Sequence, residues 1–338
     1  MRYLLSLFVL FYLTSWNKVS GFNQTDARIV DLKGTWKFMI GDDMRWSAYA
    51  FDDSGWEQIR VPSSWENQGF PGYDGYAWYR KEVILSGEYQ QQMLELALGY
   101  IDDVDEVFFN GVKIGRKGSF PPKYWTAYNA ERKYTIPAEL IKYNQKNTIA
   151  VRVYDSQLNG GIVHGQVGIY VKYQALICDV NLEGFWKFSP GDNKNWALPA
   201  HNDNDWQGIL VPGIWEDQVA SNYDGFGWYR KQFKAGASFT GKRYVLMLGK
   251  IDDLDEVYLN GKLVGKTGLI NDLSYKNQRH DEYRKERFYY LDEGALIPGK
   301  VNTIAVRVWD GGGEGGIYSG PVGLVELKRF VGFWRSKK

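Results

Sequence analysis

The sequence predicts an all-β protein built as two tandem β-sandwich or jelly-roll domains, and three observations carry that prediction. Apolar and polar residues alternate over short runs, as in Asn147 to Asp155, where Ile149, Val151 and Val153 alternate with Ala150, Arg152 and Tyr154. Turn residues separate the runs, with 38 Gly among 338 residues, and no helical periodicity of useful length interrupts them. The chain is also written twice, its second half repeating the first at an offset of 150 positions from Trp36 to Trp186. A period that long is too large for a solenoid and suits two domains, each able to hold its own core.

Taken from the N-terminus, Arg2 and the apolar stretch Tyr3 to Leu13 have the form of an export signal. That stretch is well short of the roughly 20 apolar residues a membrane span needs. Val19-Ser20-Gly21 places small residues at a cleavage point. We therefore expect a signal peptide at 1–21, the first copy at 22–174 and the second at 178–338, with the basic tail Leu327 to Lys338 a solvated end. No Cys stands near the cleavage point to carry a lipid. The one cysteine, Cys178, lies in a short apolar run and reads as a small buried hydrophobe. A secreted or periplasmic location follows, with no membrane span.

The copies align motif by motif. Gly34-Thr35-Trp36-Lys37-Phe38 is answered by Gly184-Phe185-Trp186-Lys187-Phe188, and Val61-Pro62-Ser63-Ser64-Trp65-Glu66 by Val211 to Glu216. Tyr73-Asp74-Gly75-Tyr76-Ala77-Trp78-Tyr79-Arg80-Lys81 is answered by Tyr223 to Lys231, and Ile101 to Gly111 by Ile251 to Gly261. Asn110-Gly111 and Asn260-Gly261, each between apolar runs, predict two-residue hairpins, because both central positions of a type I′ turn need a positive φ. Ala77 to Leu85 is read as a strand that turns over Ser86 to Gln91 and pairs back with Gln92 to Gly99. The recurring Trp36, Trp56, Trp65 and Trp78, with Trp186, Trp206, Trp215 and Trp228, read as core rings, and Arg80 and Arg230 as salt-bridged structural residues.

Composition narrows the function. Forty-one Lys+Arg against 40 Asp+Glu leave a net charge of +1, which excludes a nucleic-acid-binding design. An aromatic content of 16% excludes disorder. The three histidines stand at no metal-ligand spacing, so a zinc site is not expected.

The order Trp-Lys-Phe, Asp-Asp-Ser-Gly-Trp, Val-Pro-Ser-Ser-Trp-Glu, Trp-Tyr-Arg-Lys, Asp-Asp-x-Asp-Glu-Val-x-x-Asn-Gly and Asn-Thr-Ile-Ala-Val-Arg-Val resembles the galactose-binding-like, sugar-binding jelly roll of glycoside hydrolase family 2 β-galactosidases and β-glucuronidases. Tyr-Asp-Gly before Trp-Tyr-Arg, Ile-Asp-Asp, and Gly-Gly-Ile in the last loop bring it closest to the β-galactosidase-like module of bacterial sialate O-acetylesterases. The resemblance spans about residues 31–172 and 181–328. It implies the fold and a carbohydrate setting, and it implies no catalysis, because in those families this module does not hold the catalytic residues.

The residues agree. Two copies use nearly all of the chain beyond residue 21, against about 250 residues for a (β/α)₈ barrel. Neither a Gly-x-Ser-x-Gly elbow nor a Gly-Asp-Ser block occurs. The remaining acids are Asp102, Asp103, Asp105 and Glu106, repeated as Asp252, Asp253, Asp255 and Glu256. Adjacent strand residues face opposite ways, so Asp102 and Asp103 act together only if the strand breaks between them. Turn acids are the favoured reading. A calcium site using Asp102, Asp103, Asp252 and Asp253 is the runner-up, since calcium needs only oxygen ligands, and catalysis comes last. No other cofactor is expected.

Sugar contact is expected where aromatic rings and polar groups share one rim of a domain. The hairpin argument groups Tyr73, Asp74 and Tyr76 with Tyr100 and Asp102, and Tyr223, Asp224 and Phe226 with Lys250 and Asp252. Trp125, in an aromatic stretch from Phe120 to Tyr128, has no counterpart in copy two, where Asn271 to Glu286 is a polar, charged insert that includes Lys276, Arg279 and His280, so copy one is the stronger candidate. The expected function is a secreted, non-catalytic carbohydrate-binding or accessory protein of a glycan-degrading system, with carbohydrate and a separate catalytic protein as partners. The alternatives are a glycosidase- or esterase-related subunit acting on glycosidic or acetylated sugars, with its site between the copies, and a purely structural protein-interaction module.

Overall fold

The computed structural model describes residues 27–173, 176–220, 222–272 and 281–337. The expected signal peptide at 1–21, and Lys276, Arg279 and His280, lie outside the described residues.

In the first half, β1 (Ala27–Asp31), β5 (Leu94–Asp102), β8 (Glu131–Ile136) and β10 (Gly161–Val171) form a four-stranded sheet of order β1-β10-β5-β8. It faces a six-stranded sheet of order β3-β2-β4-β9-β6-β7, made by β2 (Gly34–Ile40), β3 (Glu57–Val61), β4 (Gly75–Ile84), β6 (Val104–Phe109), β7 (Val112–Lys117) and β9 (Lys146–Asp155). Every pairing is antiparallel. The inner faces bury Trp36, Phe38, Trp65, Tyr79, Leu96, Leu98, Val151 and Val153. The alternation along β9 is visible in this packing: Ile149, Val151 and Val153 point into the sandwich, while Ala150 lies on the outer face beneath Trp56, Trp78 and Phe108. A second apolar layer therefore covers the outside of the six-stranded sheet, and β9 is buried on both faces.

The second half repeats the strand order. β11 (Val180–Asn181), β15 (Tyr244–Asp252), β18 (Glu286–Tyr290) and β20 (Gly316–Glu326) give β11-β20-β15-β18. β12 (Gly184–Pro190), β13 (Gln207–Val211), β14 (Gly225–Lys234), β16 (Leu254–Leu259), β17 (Lys262–Thr267) and β19 (Val301–Asp310) give β13-β12-β14-β19-β16-β17. The hairpins at Asn110-Gly111 and Asn260-Gly261 have positive φ at both residues, 51° and 84° in one and 52° and 81° in the other. The eight recurring tryptophans are all buried. Arg80 pairs with Asp53 and Arg230 with Asp203, each at 2.7 Å.

Two expectations are corrected. β4 and β5 do not pair as a hairpin: β4 pairs with β2 and β9, and β5 with β8 and β10 in the opposite sheet. Alternation cannot separate the two arrangements, because a connection of nine residues can arch across the sandwich as readily as turn back in plane. The arch still reverses the chain, so the start of β4 and the end of β5 reach the same rim. The second correction concerns the tail, where Leu327–Ser336 is an α-helix, α1, rather than a solvated end. Leu327, Phe330 and Trp334 recur at helical spacing, and Phe330 packs with Val245, Met247 and Val325 on the outer face of the four-stranded sheet. Lys328, Arg329 and Arg335 are exposed on the helix. Cys178 borders the same cluster, where burial pushes its thiol up to about 12. Among the described residues, no helix is long and apolar enough to cross a membrane.

The two sandwiches touch. Leu210 and Phe185 of the second pack against the core of the first. Lys113 Nζ donates to the Asp217 carbonyl at 2.7 Å, Arg116 Nε to Asp217 Oδ1 at 3.0 Å, and Phe185 N to Glu139 Oε1 at 2.8 Å.

Candidate functional site

At the rim of the first sandwich, Asp102 closes β5, Asp103 stands alone in a bend, and Val104 opens β6. The strand breaks between the two acids, which are joined by a cis peptide, as are Asp252 and Asp253. The break frees them from opposite-face geometry, and both carboxylates converge with Asp155 from the end of β9, with ligand atoms within 4.8 Å of one another. Asp252, Asp253 and Asp310 form the same trio in the second sandwich.

The neighbours of each acid differ. Asp103 Oδ2 accepts from Ser156 N at 3.0 Å and Ser156 Oγ at 2.8 Å, and its Oδ1 accepts from the Thr126 hydroxyl. Burial works to raise Asp103, but the Thr126, Tyr124 and Ser156 donors together outweigh it and hold the carboxyl at about 2. Burial first, and then Asp103 beside it, push Asp102 up to about 7. Burial also pushes Asp155 to about 7, the Gln157 N–H opposing and the neighbouring Asp103 and Asp102 adding to it. Asp252 rises to about 8 and Asp310 to about 6, burial leading in both.

Asp105 and Glu106, equal candidates in the sequence, have different roles. Asp105 is fully buried and paired with Arg132 at 2.7 Å, and the Tyr134 hydroxyl donates to its other oxygen. Arg132 also donates to the carbonyls of Asp103, Ala127 and Ala130, so it clamps the loop that carries Trp125 and Thr126. Arg287 and Asp255 repeat the pair at 2.8 Å. Glu106 is bound by Arg152 at 3.1 Å.

The aromatic candidates separate as well. The Tyr73 hydroxyl donates to the Tyr76 carbonyl at 2.7 Å and accepts from Gly41 N at 3.2 Å, while its ring meets Trp65 edge-on. Tyr223 makes the same contacts with Phe226, Gly191 and Trp215, so both hydroxyls are already engaged in holding their loops. Asp74 and Asp224 are exposed, within electrostatic reach of Asp155 and Asp310. Tyr76 stacks on Phe120, with the Arg152 guanidinium 4.7 Å from its ring centre. Tyr100 stacks on His164 at 4.4 Å, two residues along β5 from Asp102.

Trp125 is held by its backbone, with Ser119 N donating to the Trp125 carbonyl at 2.8 Å and Trp125 N to the Ser119 carbonyl at 3.0 Å. The residue is 75% exposed. It borders a groove of about 640 Å³ between the sandwiches, whose walls include Lys113, Arg116, Asn129, Asp217 and Tyr318. The volume lies within the range of small-molecule sites, about 300–1,000 Å³.

Sequence reasoning missed Asp155 and Asp310, and the Thr126 and Ser156 donors. One signal was present: both copies end the Val-Arg-Val strand with Asp, immediately before a Gly-rich loop, Asp155 to Gly165 and Asp310 to Gly320. The groove had no such signal, because its two walls lie far apart in the chain.

No family model matches the chain. Two curated proteins are similar to parts of it. The beta-galactosidase BoGH2A of Bacteroides ovatus is 23% identical over 154 residues, 41% of this chain and 17% of that protein. A Formosa agariphila protein provisionally named a beta-glucuronidase is 27% identical over 161 residues, 44% of this chain and 15% of that protein. The chain therefore matches less than a fifth of the length of either relative. Among solved structures, a Ruminococcus gnavus β-glucuronidase is similar over 90% of this chain and 45% of that one, at 13% identity and a TM-score of 0.36. A Bacteroides uniformis β-glucuronidase is similar over 85% and 28%, at 16% identity and a TM-score of 0.36. The partial similarity to glycoside hydrolase family 2 proteins fits a sugar-binding domain of that type, in agreement with the motifs.

Proposed function

We propose that the protein recognises carbohydrate through the groove between its sandwiches and cleaves no bond itself, serving as an exported accessory to a separate glycan-degrading enzyme. One observation carries the reading: an exposed tryptophan, its backbone tied to Ser119, beside a groove walled by hydrogen-bonding side chains. Sugars are held by stacking their C–H faces on aromatic rings and by a few directed hydrogen bonds; Trp125 supplies the ring and the exposed Asn129 side chain the directed bonds, while Lys113 and Arg116, engaged with Asp217, shape the opposite wall. Both curated relatives are named as enzymes of glycosides, which supports a carbohydrate setting.

The acid trios argue against hydrolysis. Glycosidase carboxyls stand about 5–5.5 Å apart in retaining enzymes and about 6.5–9.5 Å apart in inverting ones, on either side of the scissile bond. Here oxygens of all three carboxylates crowd within 4.8 Å, and Asp103 and Asp155 are buried.

The test is a glycan array with the purified protein, followed by calorimetry on the best ligand. Trp125→Ala should weaken binding about tenfold or more, from the ~1.5–3 kcal/mol of a buried apolar ring, while Tyr223→Ala changes it little. Unchanged affinity in Trp125→Ala would sink the groove reading, and turnover of aryl glycosides lost in Asp102→Ala would sink the non-catalytic one.

A further inference from the structure

We infer that each sandwich holds a hard divalent cation of the calcium class between its strand-end carboxylates: Asp102, Asp103 and Asp155 in the first, Asp252, Asp253 and Asp310 in the second. This goes beyond glycan recognition and stands without it.

Distances are the first support. Oxygens of each trio lie within 4.8 Å of one another. Two ligands on one calcium ion, each at about 2.3–2.6 Å, stand no more than about 5 Å apart, so one ion reaches all three. The donor set is oxygen throughout, with no His or Cys in either trio, which suits calcium and not zinc.

Crowded acids alone would be weak grounds, and the buried oxygens supply the independent observation. Asp155 is 0% exposed; its Oδ1 accepts from Gln157 N at 3.3 Å, while Oδ2 has neither solvent nor a donor. Asp310 repeats this at 1% exposure, with Oδ1 accepting from Gly312 N at 3.0 Å and Oδ2 without a partner. Glu66 Oε2 and Glu216 Oε1, at the same rims, are buried and unpartnered too. Buried carboxylate oxygens left unsatisfied are costly, and the same cost recurs at matching positions in both sandwiches. The neighbouring guanidiniums do not relieve it. Arg132 spends its donors on Asp105 and the carbonyls of Asp103, Ala127 and Ala130, and Arg287 on Asp255 and the carbonyls of Ile251, Asp253, Glu282 and Lys285. An ion here joins the end of β5, in the four-stranded sheet, to the end of β9, in the six-stranded sheet, and braces the rim that both sheets share.

The experiment is calcium titration of the chelator-stripped full chain by calorimetry, with Asp155→Asn, Asp310→Asn and the double variant. Two saturable equivalents per chain are expected, one lost in each single variant and both in the double, with circular dichroism confirming the fold. Thermal unfolding separates ligation from a structural role. In chelator, the double variant should unfold at or above the parent temperature, because a repelling charge has been removed from each trio. In calcium, the parent should gain unfolding temperature and the double variant should not. No saturable uptake by the parent, or two equivalents retained by the double variant, overturns the inference. A single equivalent abolished by only one of the single variants overturns the site in the other sandwich.

Discussion

Replacing Asp105 with Asn is the most demanding test of how the rim is held. The carboxylate and its partner Arg132 are both 0% exposed, and the pair closes at 2.7 Å. Asn keeps the volume but leaves a buried guanidinium without its counter-charge, and deprives the Tyr134 hydroxyl of a charged acceptor. Removing one member of a buried, hydrogen-bonded pair costs about 3–5 kcal/mol. The exposed Lys146–Glu82 pair, with side chains 66% and 58% accessible, should contribute no more than about 1 kcal/mol when broken. The assay is urea unfolding at pH 7 followed by tryptophan fluorescence, comparing Asp105→Asn, Arg132→Met, Glu82→Gln and the double variant Asp105→Asn/Arg132→Met. The double variant should lose less than the sum of the two single variants, because it leaves no uncompensated charge, although the Asp103, Ala127 and Ala130 carbonyls lose their donor. Arg132 also holds the Ala127 and Ala130 carbonyls, so Asp105→Asn should weaken any glycan binding that depends on Trp125. A loss below about 1 kcal/mol, or a double variant as damaged as the sum of its parts, would refute the argument.

Three further outcomes are expected. Phe330→Ala should cost about 3 kcal/mol by emptying the seat of α1, and should expose residues 327–337 to limited proteolysis; a chain equally resistant to protease would show that the helix is not held by that ring. Fragments 22–174 and 178–338 should each be soluble and β-rich by circular dichroism, since each contains both sheets of a sandwich, and an unfolded fragment beside a cooperative whole would make the Leu210 contact part of one core. Mass spectrometry of the chain expressed in an exporting bacterium should find a mature N-terminus near residue 22, and an intact Met1 in the exported fraction would remove the signal-peptide reading.

The sequence by itself determined the class of fold, the doubling of the unit, the hairpins at Asn110-Gly111 and Asn260-Gly261, and the buried tryptophans. Each is a local matter: side-chain period sets which face is buried, and a positive φ admits few residue types. It also brought Asp102 and Asp103 forward as acids where strand alternation fails. Only the tertiary structure decided which acids meet. Asp155 joins Asp102 and Asp103 from a strand of the opposite sheet more than 50 residues later, whereas Asp105, two residues from Asp103, turns inward to Arg132. Pairing of β4 with β9 rather than β5, docking of Phe330 on the second sandwich, and the groove beside Trp125 are of the same kind. They depend on which surfaces are buried against one another across long separations in the chain, and alternation and turn chemistry act only over a few residues.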